Sequence, residues 1–350
     1  MCFPTGGLFN RAMTPRPPRA STIRAALADS GAMPETRIVE PANLRTVATG
    51  LRFPEGPVAL ADGSVLLVEI ARGTLTRVDP GGETSIVAEC GGGPNGAAIG
   101  PDGAVYVCNN GGCFDWHDRF GLLVPGSPPP EGWRYGSLQR VDPDTGEVTT
   151  LLSESGGVAL RAPNDLVFDA EGGIWFTDHG VRQERVSDRT GLHWCRADGT
   201  GSREVVFPLD APNGVGLSPD GGQVYAAETH TGRLWAWDVT GPGEVAGSNP
   251  LGPAGGRLLG APGGGAMFDS LAVDGEGWVC VATLGANPGI TAFSPDGDEV
   301  EHTPLPDPLT TNICFGPDGR TAFVTLSGTG QLVAVDWPRP GGRTAFAAWA

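Results

Sequence analysis

An acidic residue followed by glycine recurs six times along the chain, each time between two short apolar segments. The six pairs are Asp62-Gly63, Asp102-Gly103, Glu171-Gly172, Asp220-Gly221, Glu276-Gly277 and Asp318-Gly319. Pairs of this kind between short apolar runs are typical of β-hairpin turns, because glycine readily adopts the positive φ that a tight turn requires. The spacing predicts six copies of an antiparallel meander of roughly 50 residues each.

Six equivalent meanders predict an all-β fold, a six-bladed β-propeller. The composition agrees, since 56 Gly and 32 Pro accompany 39% hydrophobic residues, as expected for many short strands joined by tight turns. We expect a flexible N-terminal tail over residues 1–36, the propeller over 37–342 and a C-terminal tail over 343–350. Residues 43–50 precede the first repeat and are predicted to complete the sixth blade, which leaves no long unpaired edge.

A polar residue stands seven positions before each acidic turn residue, at the start of the strand expected to line the central channel. These six anchor residues are Glu55, Asn95, Asn164, Asn213, Asp269 and Thr311. Equivalent positions in six blades form a ring, so we expect the anchor residues to meet at one mouth of the channel.

Two acids in such a ring need a positive partner. At about 5 Å, two carboxylates repel by roughly 3 kcal/mol at an effective dielectric constant near 20. No anchor is Lys or Arg, and carboxylate and amide oxygens suit a hard cation. We therefore predict one divalent ion at this mouth, Ca²⁺ foremost, with Mg²⁺, Mn²⁺, Zn²⁺ and Fe²⁺ as alternatives. Turn formation by Asn and Asp is the competing explanation for each single anchor.

A second polar ring is predicted where the next strand of each blade returns to the same mouth. It comprises Glu69, Asn109, Asp178, Glu228, Thr283 and Thr325. Asn95, Asn109 and Asp178 are candidate substrate contacts, and so are His179 and His230, which follow this ring. The alternative for each histidine is a hydrogen-bonded loop residue.

An insertion separates the second and third anchors. It includes residues 113–136, rich in Pro and aromatic residues, and leaves the second strand at the predicted mouth. We expect a lid or a wall of the pocket, with Trp116 and Trp133 as candidate contacts to an apolar or aromatic substrate. A surface loop packed on itself is the alternative.

The charge and the cysteines restrict partners and compartment. A net charge of −17 argues against nucleic-acid binding, and no run of 18 apolar residues is present to span a membrane. Seven scattered Cys suit reduced thiols and a cytoplasmic protein. We expect a monomer or a homodimer.

With the anchors in place, the chain resembles the senescence-marker-protein/gluconolactonase/luciferin-regenerating family over roughly residues 45–340. The resemblance depends on "FPEGPV", "APNDLVFD", "PNGVGLSPDG", "FDSLAVDGEG" and "TNICFGPDGRTAFVT" in this order. It implies a metal held by Glu55, Asn213 and Asp269, with Asn164 as a further ligand or substrate contact, and Asp269 as general base.

The resemblance also implies a small-molecule substrate. Many members hydrolyse lactones, so the expected activity is metal-assisted opening of a cyclic ester, with Asp269 and Asn164 as catalytic candidates. A phosphotriesterase-like hydrolase on the same ion, a strictosidine-synthase-type enzyme and a non-catalytic ligand-binding propeller are the alternatives. Two departures from the family pattern are Ala162, where animal members carry Arg, and Ser270, where Gly is commoner.

Overall fold

The computed structural model of the protein describes residues 34–347, in which six β-sheets of four or five strands are accompanied by two two-stranded hairpins. The innermost strand of each sheet contacts the innermost strand of the next, and that of the sixth contacts that of the first. The sheets therefore form a closed ring around a central channel, which confirms the predicted six-bladed β-propeller.

Two strands precede the first blade: β1 (Thr36–Ile38) and β2 (Ala42–Ala48). Blade one contains β3 (Pro54–Ala59), β4 (Val65–Glu69), β5 (Thr74–Val78) and β6 (Thr84–Glu89). Blade two contains β7 (Pro94–Ile99) and β8 (Val105–Asn109), then an inserted hairpin of β9 (Asp115–Arg119) and β10 (Leu122–Gly126), then β11 (Ser137–Val141) and β12 (Val148–Leu152). A short hairpin of β13 (Glu154–Ser155) and β14 (Val158–Ala159) leads to blade three, which contains β15 (Pro163–Phe168), β16 (Gly173–Asp178), β17 (Thr190–Arg196) and β18 (Arg203–Leu209).

Blade four contains β19 (Pro212–Leu217), β20 (Gln223–Glu228) and β21 (Arg233–Gly241), and β21 pairs with both β22 (Glu244–Ala246) and β23 (Arg257–Gly260). Blade five contains β24 (Met267–Val273), β25 (Val279–Leu284), β26 (Gly289–Phe293) and β27 (Val300–Pro304). Blade six contains β28 (Thr310–Phe315), β29 (Thr321–Leu326) and β30 (Gln331–Asp336). Strand β2 pairs antiparallel with β30 as the outermost strand of blade six, and β1 adds to blade five by parallel pairing with β27.

The acidic-Gly turns join the first two strands of every blade as predicted, and all six glycines have positive φ. In four blades the turn aspartate accepts a hydrogen bond from the backbone N–H two residues later, as Asp62 does from Ser64. Where the turn acid is Glu171 or Glu276, Asp169 or Asp274 two positions earlier does this instead. An aspartate is needed here because this hydrogen bond to the N–H two residues later closes a tight ring, which the longer glutamate side chain does not fit.

The hydrophobic core lies between adjacent blades. Between blades three and four, for example, the buried rings of Trp175, Trp194, Trp235 and Trp237 pack with Leu192 and Val215. Blade faces that pack on both neighbours explain why strands such as "VLLVE" and "GIWFTD" are buried along their whole length.

Residues 337–347, the C-terminal strap, cross the mouth of the channel opposite the anchor residues. Arg339 reaches Asp274 and Glu301 of blade five, at 2.5 and 2.7 Å, and Phe346 packs edge-to-face on Phe168 of blade three. Sequence analysis places residues 343–350 in a tail, but 343–347 pack against the propeller. Between the strap and the anchor residues lies a cavity of about 380 Å³, with apolar lining from all six blades.

Most of the predicted N-terminal tail, up to residue 33, lies outside the described residues. The six cysteines within residues 34–347 are free thiols. The same residues contain no helix long and apolar enough to cross a membrane.

Candidate functional site

A β-bulge at the start of each inner strand shapes the mouth of the channel. The pairing register shifts beside the anchor in all six blades, for example between Glu55 and Val58 and between Pro212 and Val215. A bulge re-aims side chains, so the anchor and the residue after it both reach the channel.

Glu55 is buried, with 1% of its surface exposed. Its Oε2 accepts hydrogen bonds from the Asn312 side-chain amide at 2.7 Å and from the Gly56 N–H at 2.8 Å. Burial raises the pKa of Glu55 to about 7, because removing the carboxylate from water costs more than these bonds return. An added positive charge would stabilise the ionised form.

Asp269 lies in the same electrostatic cluster. Burial of its carboxyl, together with the nearby Glu55, raises the pKa of Asp269 well above its usual range, although part of the residue surface remains open to solvent. Asn213 donates a hydrogen bond to this carboxyl. Asn213 Nδ2 also donates to Thr229 Oγ1 at 3.1 Å, and its Oδ1 accepts from Ser270 Oγ at 3.2 Å. The Asn213 amide is thus oriented from both sides.

Asn164 carries an unpartnered acceptor. The residue is 5% exposed, and its buried Oδ1 has no hydrogen-bond partner among the described residues. A buried amide oxygen without a partner costs about 1–3 kcal/mol. This atom is therefore a ready ligand for a cation or an O–H group.

The residue after Asn164 adds a third acid. Asp165 accepts hydrogen bonds from the Leu166 and Val215 N–H groups and from Ser270. Burial and the Glu55 charge raise the pKa of Asp165 to about 8.

Three of the six residues that follow the anchors are glycines, because the inner strands converge closely on the channel axis. A Cβ on Gly56, Gly96 or Gly214 would come within 2.5–2.9 Å of backbone atoms of the neighbouring inner strand. The other three are Asp165, Ser270 and Asn312, and each hydrogen-bonds to a polar residue of the channel.

Asp165 and Asn312 belong to the site although the sequence pattern does not predict a role for them. Their position directly after an anchor, where other blades have glycine, is the signal that could have identified them. Ser270 was noticed only as a departure from the family pattern. In blade six, the anchor Thr311 bonds to Thr325 and Ser327, and Asn312 makes the contact to Glu55.

The structure corrects two predicted substrate contacts. Asn109 Oδ1 accepts from the Gly93 and Gly111 N–H groups and its Nδ2 donates to Gly91 O and Gln139, which uses all four of its hydrogen-bonding positions. Asp178 accepts from the backbone N–H groups of Arg161, Ala162 and Gly180. Both side chains bind the segment that leads into the inner strand of their own blade, which supports a structural role.

Glu69 and Glu228 repeat this arrangement. Glu69 accepts from the Arg52 N–H at 2.6 Å, and Glu228 accepts from the Asp210 N–H at 2.8 Å. In blades one to four, the second ring therefore holds the segment that precedes the anchor and fixes the position of the anchor side chain.

His179 and His230 meet at the mouth between blades three and four, with ring centroids 5.7 Å apart. The backbone N–H of His179 donates to Ala162 O, two residues before Asn164. His230 directly follows Thr229, whose hydroxyl accepts a hydrogen bond from Asn213. Burial lowers the pKa of His179 to about 4 and lowers that of His230, so both imidazoles are neutral at pH 7.

Residues 113–136 extend from blade two and contact the neighbouring parts of the mouth on both sides. On one side the Leu123 N–H bonds to Gly328 O of blade six, and Trp116 packs on Phe53 at 5.0 Å. On the other side Trp133 Nε1 donates to Asn110 O, and its ring lies 4.9 Å from the Arg161 guanidinium of the loop before blade three. The insertion is thus fastened at both sides, as a wall of the mouth would be.

The donor set fits a hard cation. Glu55 and Asp269 contribute oxygens of raised pKa, Asn164 contributes an unpartnered buried oxygen, and Asn213 contributes an oriented amide. No three His, Cys, Asp or Glu side chains within residues 34–347 are grouped closely enough to hold an ion by themselves. An ion here would therefore depend on the asparagine oxygens. The structure does not link Asn95 to these groups by a hydrogen bond among the described residues.

Comparison with known proteins gives the same family as the motifs. The chain is 25% identical to a gluconolactonase from Zymomonas mobilis subsp. mobilis over 317 residues, which cover 81% of this chain and 79% of that protein. It is 27% identical to the diisopropyl-fluorophosphatase of Loligo vulgaris over 199 residues, or 54% of this chain and 61% of that protein.

A solved gluconolactonase structure from Xanthomonas campestris superposes with a TM-score of 0.65 at 21% identity, covering 84% of this chain and 89% of that one. The calcium-binding protein regucalcin from Agrobacterium tumefaciens gives a TM-score of 0.65 at 17% identity, with coverage of 88% and 100%. At these identities the two structures share the fold. The sequence profile described as SMP-30/Gluconolactonase/LRE-like region matches residues 53–328, and the chain therefore belongs to this family.

Proposed function

We propose that this protein is a metal-dependent lactonase, which hydrolyses a cyclic ester to the open hydroxy acid. Family membership supports a hydrolase of this kind, and the relatives include the Zymomonas gluconolactonase and an L-arabinolactonase from Azospirillum brasilense. The observation that carries the proposal is the unpartnered Oδ1 of Asn164 in one channel mouth with the buried carboxyls of Glu55 and Asp269.

Glu55, Asn164, Asn213 and Asp269 would hold one divalent cation, with Ca²⁺ as the first choice. All four offer oxygen, the ligand that hard cations prefer. A bound ion would supply Lewis-acid polarisation of the substrate carbonyl and stabilise negative charge on its oxygen. Calcium binding by the related regucalcin supports this choice.

Asp269 is the proposed general base. Its carboxyl shares the channel mouth with Glu55 and part of its surface remains open to solvent, where an attacking water would approach. In the proposed reaction Asp269 takes a proton from the attacking water and Asn164 and Asn95 hold the substrate by neutral hydrogen bonds. The proton passes from the Asp269 carboxyl to the alkoxide oxygen when the ester C–O bond breaks.

A phosphotriesterase-like activity is the second candidate, favoured by the similarity to the Loligo diisopropyl-fluorophosphatase. It would use Asp269 as a nucleophile on phosphorus. Single-turnover reactions in ¹⁸O-water separate the two: label enters the product directly when water attacks, and enters the Asp269 carboxyl when Asp269 attacks.

The test is a screen of sugar, aliphatic and aromatic lactones and organophosphates with Ca²⁺, with EDTA, and with EDTA followed by Ca²⁺. Asp269→Asn and Glu55→Gln are expected to lower kcat/KM at least 100-fold with the fold retained. Asp318→Asn, in a turn acid distant from the anchors along its strand, is the matched control. Full activity of Asp269→Asn with metal present would refute the assigned site. Equal hydrolysis with Ca²⁺ and with EDTA would refute the metal dependence, and the absence of hydrolysis of every substrate would leave a non-catalytic ligand-binding propeller.

A further inference from the structure

The mouth around the anchor residues has two unlike walls. Blade one lies opposite blade four in a ring of six. Above blade one, the ring of Trp116 packs 5.0 Å from Phe53 and 5.8 Å from Phe114, and these residues belong to an apolar cluster with Ile70 and Leu123. Trp116 and Phe114 remain partly exposed. An apolar surface therefore borders this side of the mouth.

The opposite wall consists of His179 and His230. His179 Nδ1 lies 3.0 Å from Gly180 O, and His230 Nδ1 lies 3.3 Å from Asp210 Oδ1. Both partners accept hydrogen bonds, so each Nδ1 carries the proton of the neutral ring. The other nitrogen, Nε2, is then an acceptor in both imidazoles.

Neither Nε2 has a hydrogen-bond partner within residues 34–347, and neither is among the buried unsatisfied atoms. Both are therefore open to solvent. His193 differs, since it is only 2% exposed, packs on Phe176 and lies inside blade three. The wall thus offers two free acceptors, which match O–H donors of a ligand.

We propose that His179 and His230 are specificity-determining residues, which accept hydrogen bonds from substrate hydroxyl groups while Trp116 contacts an apolar substituent. The substrate class is then a lactone with a hydroxylated edge and an apolar or aromatic edge. This inference rests on the proposed lactonase function, because it concerns the substrate of the same site.

Four lactones of one ring size separate the two walls: γ-butyrolactone, its α-hydroxy derivative, its γ-phenyl derivative, and the derivative with both groups. We expect kcat/KM to be highest for the doubly substituted lactone. A neutral hydrogen bond contributes about 0.5–1.5 kcal/mol, so one lost acceptor reduces the preference for the α-hydroxy lactones by about twofold to about tenfold.

The variants are matched in pairs. His230→Asn and His179→Asn keep a polar group near the Nδ1 position but lose the Nε2 acceptor, so the preference for α-hydroxy over unsubstituted lactone should fall. His230→Gln places an amide near the Nε2 position and should restore part of it. Trp116→Leu should instead reduce the preference for the γ-phenyl lactones about tenfold.

Equal losses on all four lactones in the His→Asn variants, or no loss on any, would overturn the inference, because a merely structural role does not discriminate. If the wild-type protein opens none of the four lactones and none of the lactones of the wider screen, the proposed function has failed. Equilibrium binding of the unreacted lactones to the Ca²⁺-loaded protein then tests the two walls, with the same order of preferences expected.

Discussion

Glu55 and Glu69 are both fully buried glutamates near one channel mouth, yet their surroundings predict opposite responses to the same substitution. The Glu55 carboxyl accepts bonds only from uncharged donors among the described residues, namely Asn312, the Gly56 N–H and Thr311. Glu69 accepts from the Arg52 N–H and from Thr76 and lies 3.0 Å from the Arg72 guanidinium. Replacing each glutamate by Gln tests whether its charge destabilises the metal-free fold, as expected for Glu55, or stabilises it, as expected for Glu69.

The magnitude follows from the pKa of Glu55, which rises from 4.5 to about 7 on folding. Each pKa unit corresponds to 1.36 kcal/mol, so ionised Glu55 costs the folded state about 3 kcal/mol. At pH 4 the carboxyl is largely protonated in both states and the cost is small. The cost grows as the pH rises from 4.5 to about 7, because the unfolded state loses its proton first, and it is complete above pH 7. Glu55→Gln should therefore raise the unfolding free energy by about 3 kcal/mol at pH 8 and by little at pH 4.

Urea denaturation in EDTA, at pH 4 and pH 8, measures this difference. Glu69→Gln should lower the unfolding free energy at pH 8 by about 1–3 kcal/mol, because it weakens charge-assisted hydrogen bonds to buried donors. A Glu55→Gln variant that is less stable than the wild type at pH 8 would refute the interpretation of Glu55 as a strained carboxyl that awaits a cation. With Ca²⁺, the wild type should gain stability and Glu55→Gln should gain much less.

Three further predictions concern the rest of the fold. Arg339→Ala leaves the fully buried Asp274 without its cation and should destabilise the protein by about 3–5 kcal/mol in urea unfolding, whereas an unchanged midpoint would show that the ion pair contributes nothing. Burial lowers the pKa of His193 to about 4, so the free energy of unfolding should decline by about 3 kcal/mol as the pH drops from 6.5 to 4. His193→Phe should lack this part of the decline when the free energy of unfolding is measured against pH. An identical decline in the variant and the wild type would contradict the prediction. Truncation after Gly342 removes part of the wall of the cavity that Cys314 lines. Alkylation of Cys314 by N-ethylmaleimide, measured by peptide mass spectrometry, should then accelerate at least tenfold relative to alkylation of Cys280. Equal rates in the truncated and full-length chains would show that the strap does not shield the cavity.

The fold was accessible from the sequence because the turn chemistry repeats. An acid followed by glycine at six equivalent places reports a local backbone requirement, and local requirements can be read without the tertiary structure. The grouping of Glu55 with Asp269 followed from the same repeat, since equivalent positions in a closed ring must meet. The Glu55 charge is one cause of the raised pKa of Asp269, as expected for two carboxyls near one channel mouth.

Other features depend on contacts that no spacing reveals. The bulges bring Asp165 and Asn312 into the channel, although strict alternation along a strand would turn them away from it. Asn109 and Asp178 end their strands at the expected mouth, but backbone N–H groups of the incoming segments occupy them. Residues 343–350 are predicted to form a tail because they contain no repeat of the blade pattern, whereas Phe346 packs on blade three, which is distant along the chain.

The strap at the far mouth has a consequence for turnover. With that exit obstructed, reactant and product of the proposed reaction would exchange through the same opening between the histidine and tryptophan walls. Ring opening of a lactone releases an acid that ionises at neutral pH, and the protein itself carries a net charge of −17. Like charges repel, so this net charge would favour departure of the newly formed anion along the path by which the neutral ester arrived.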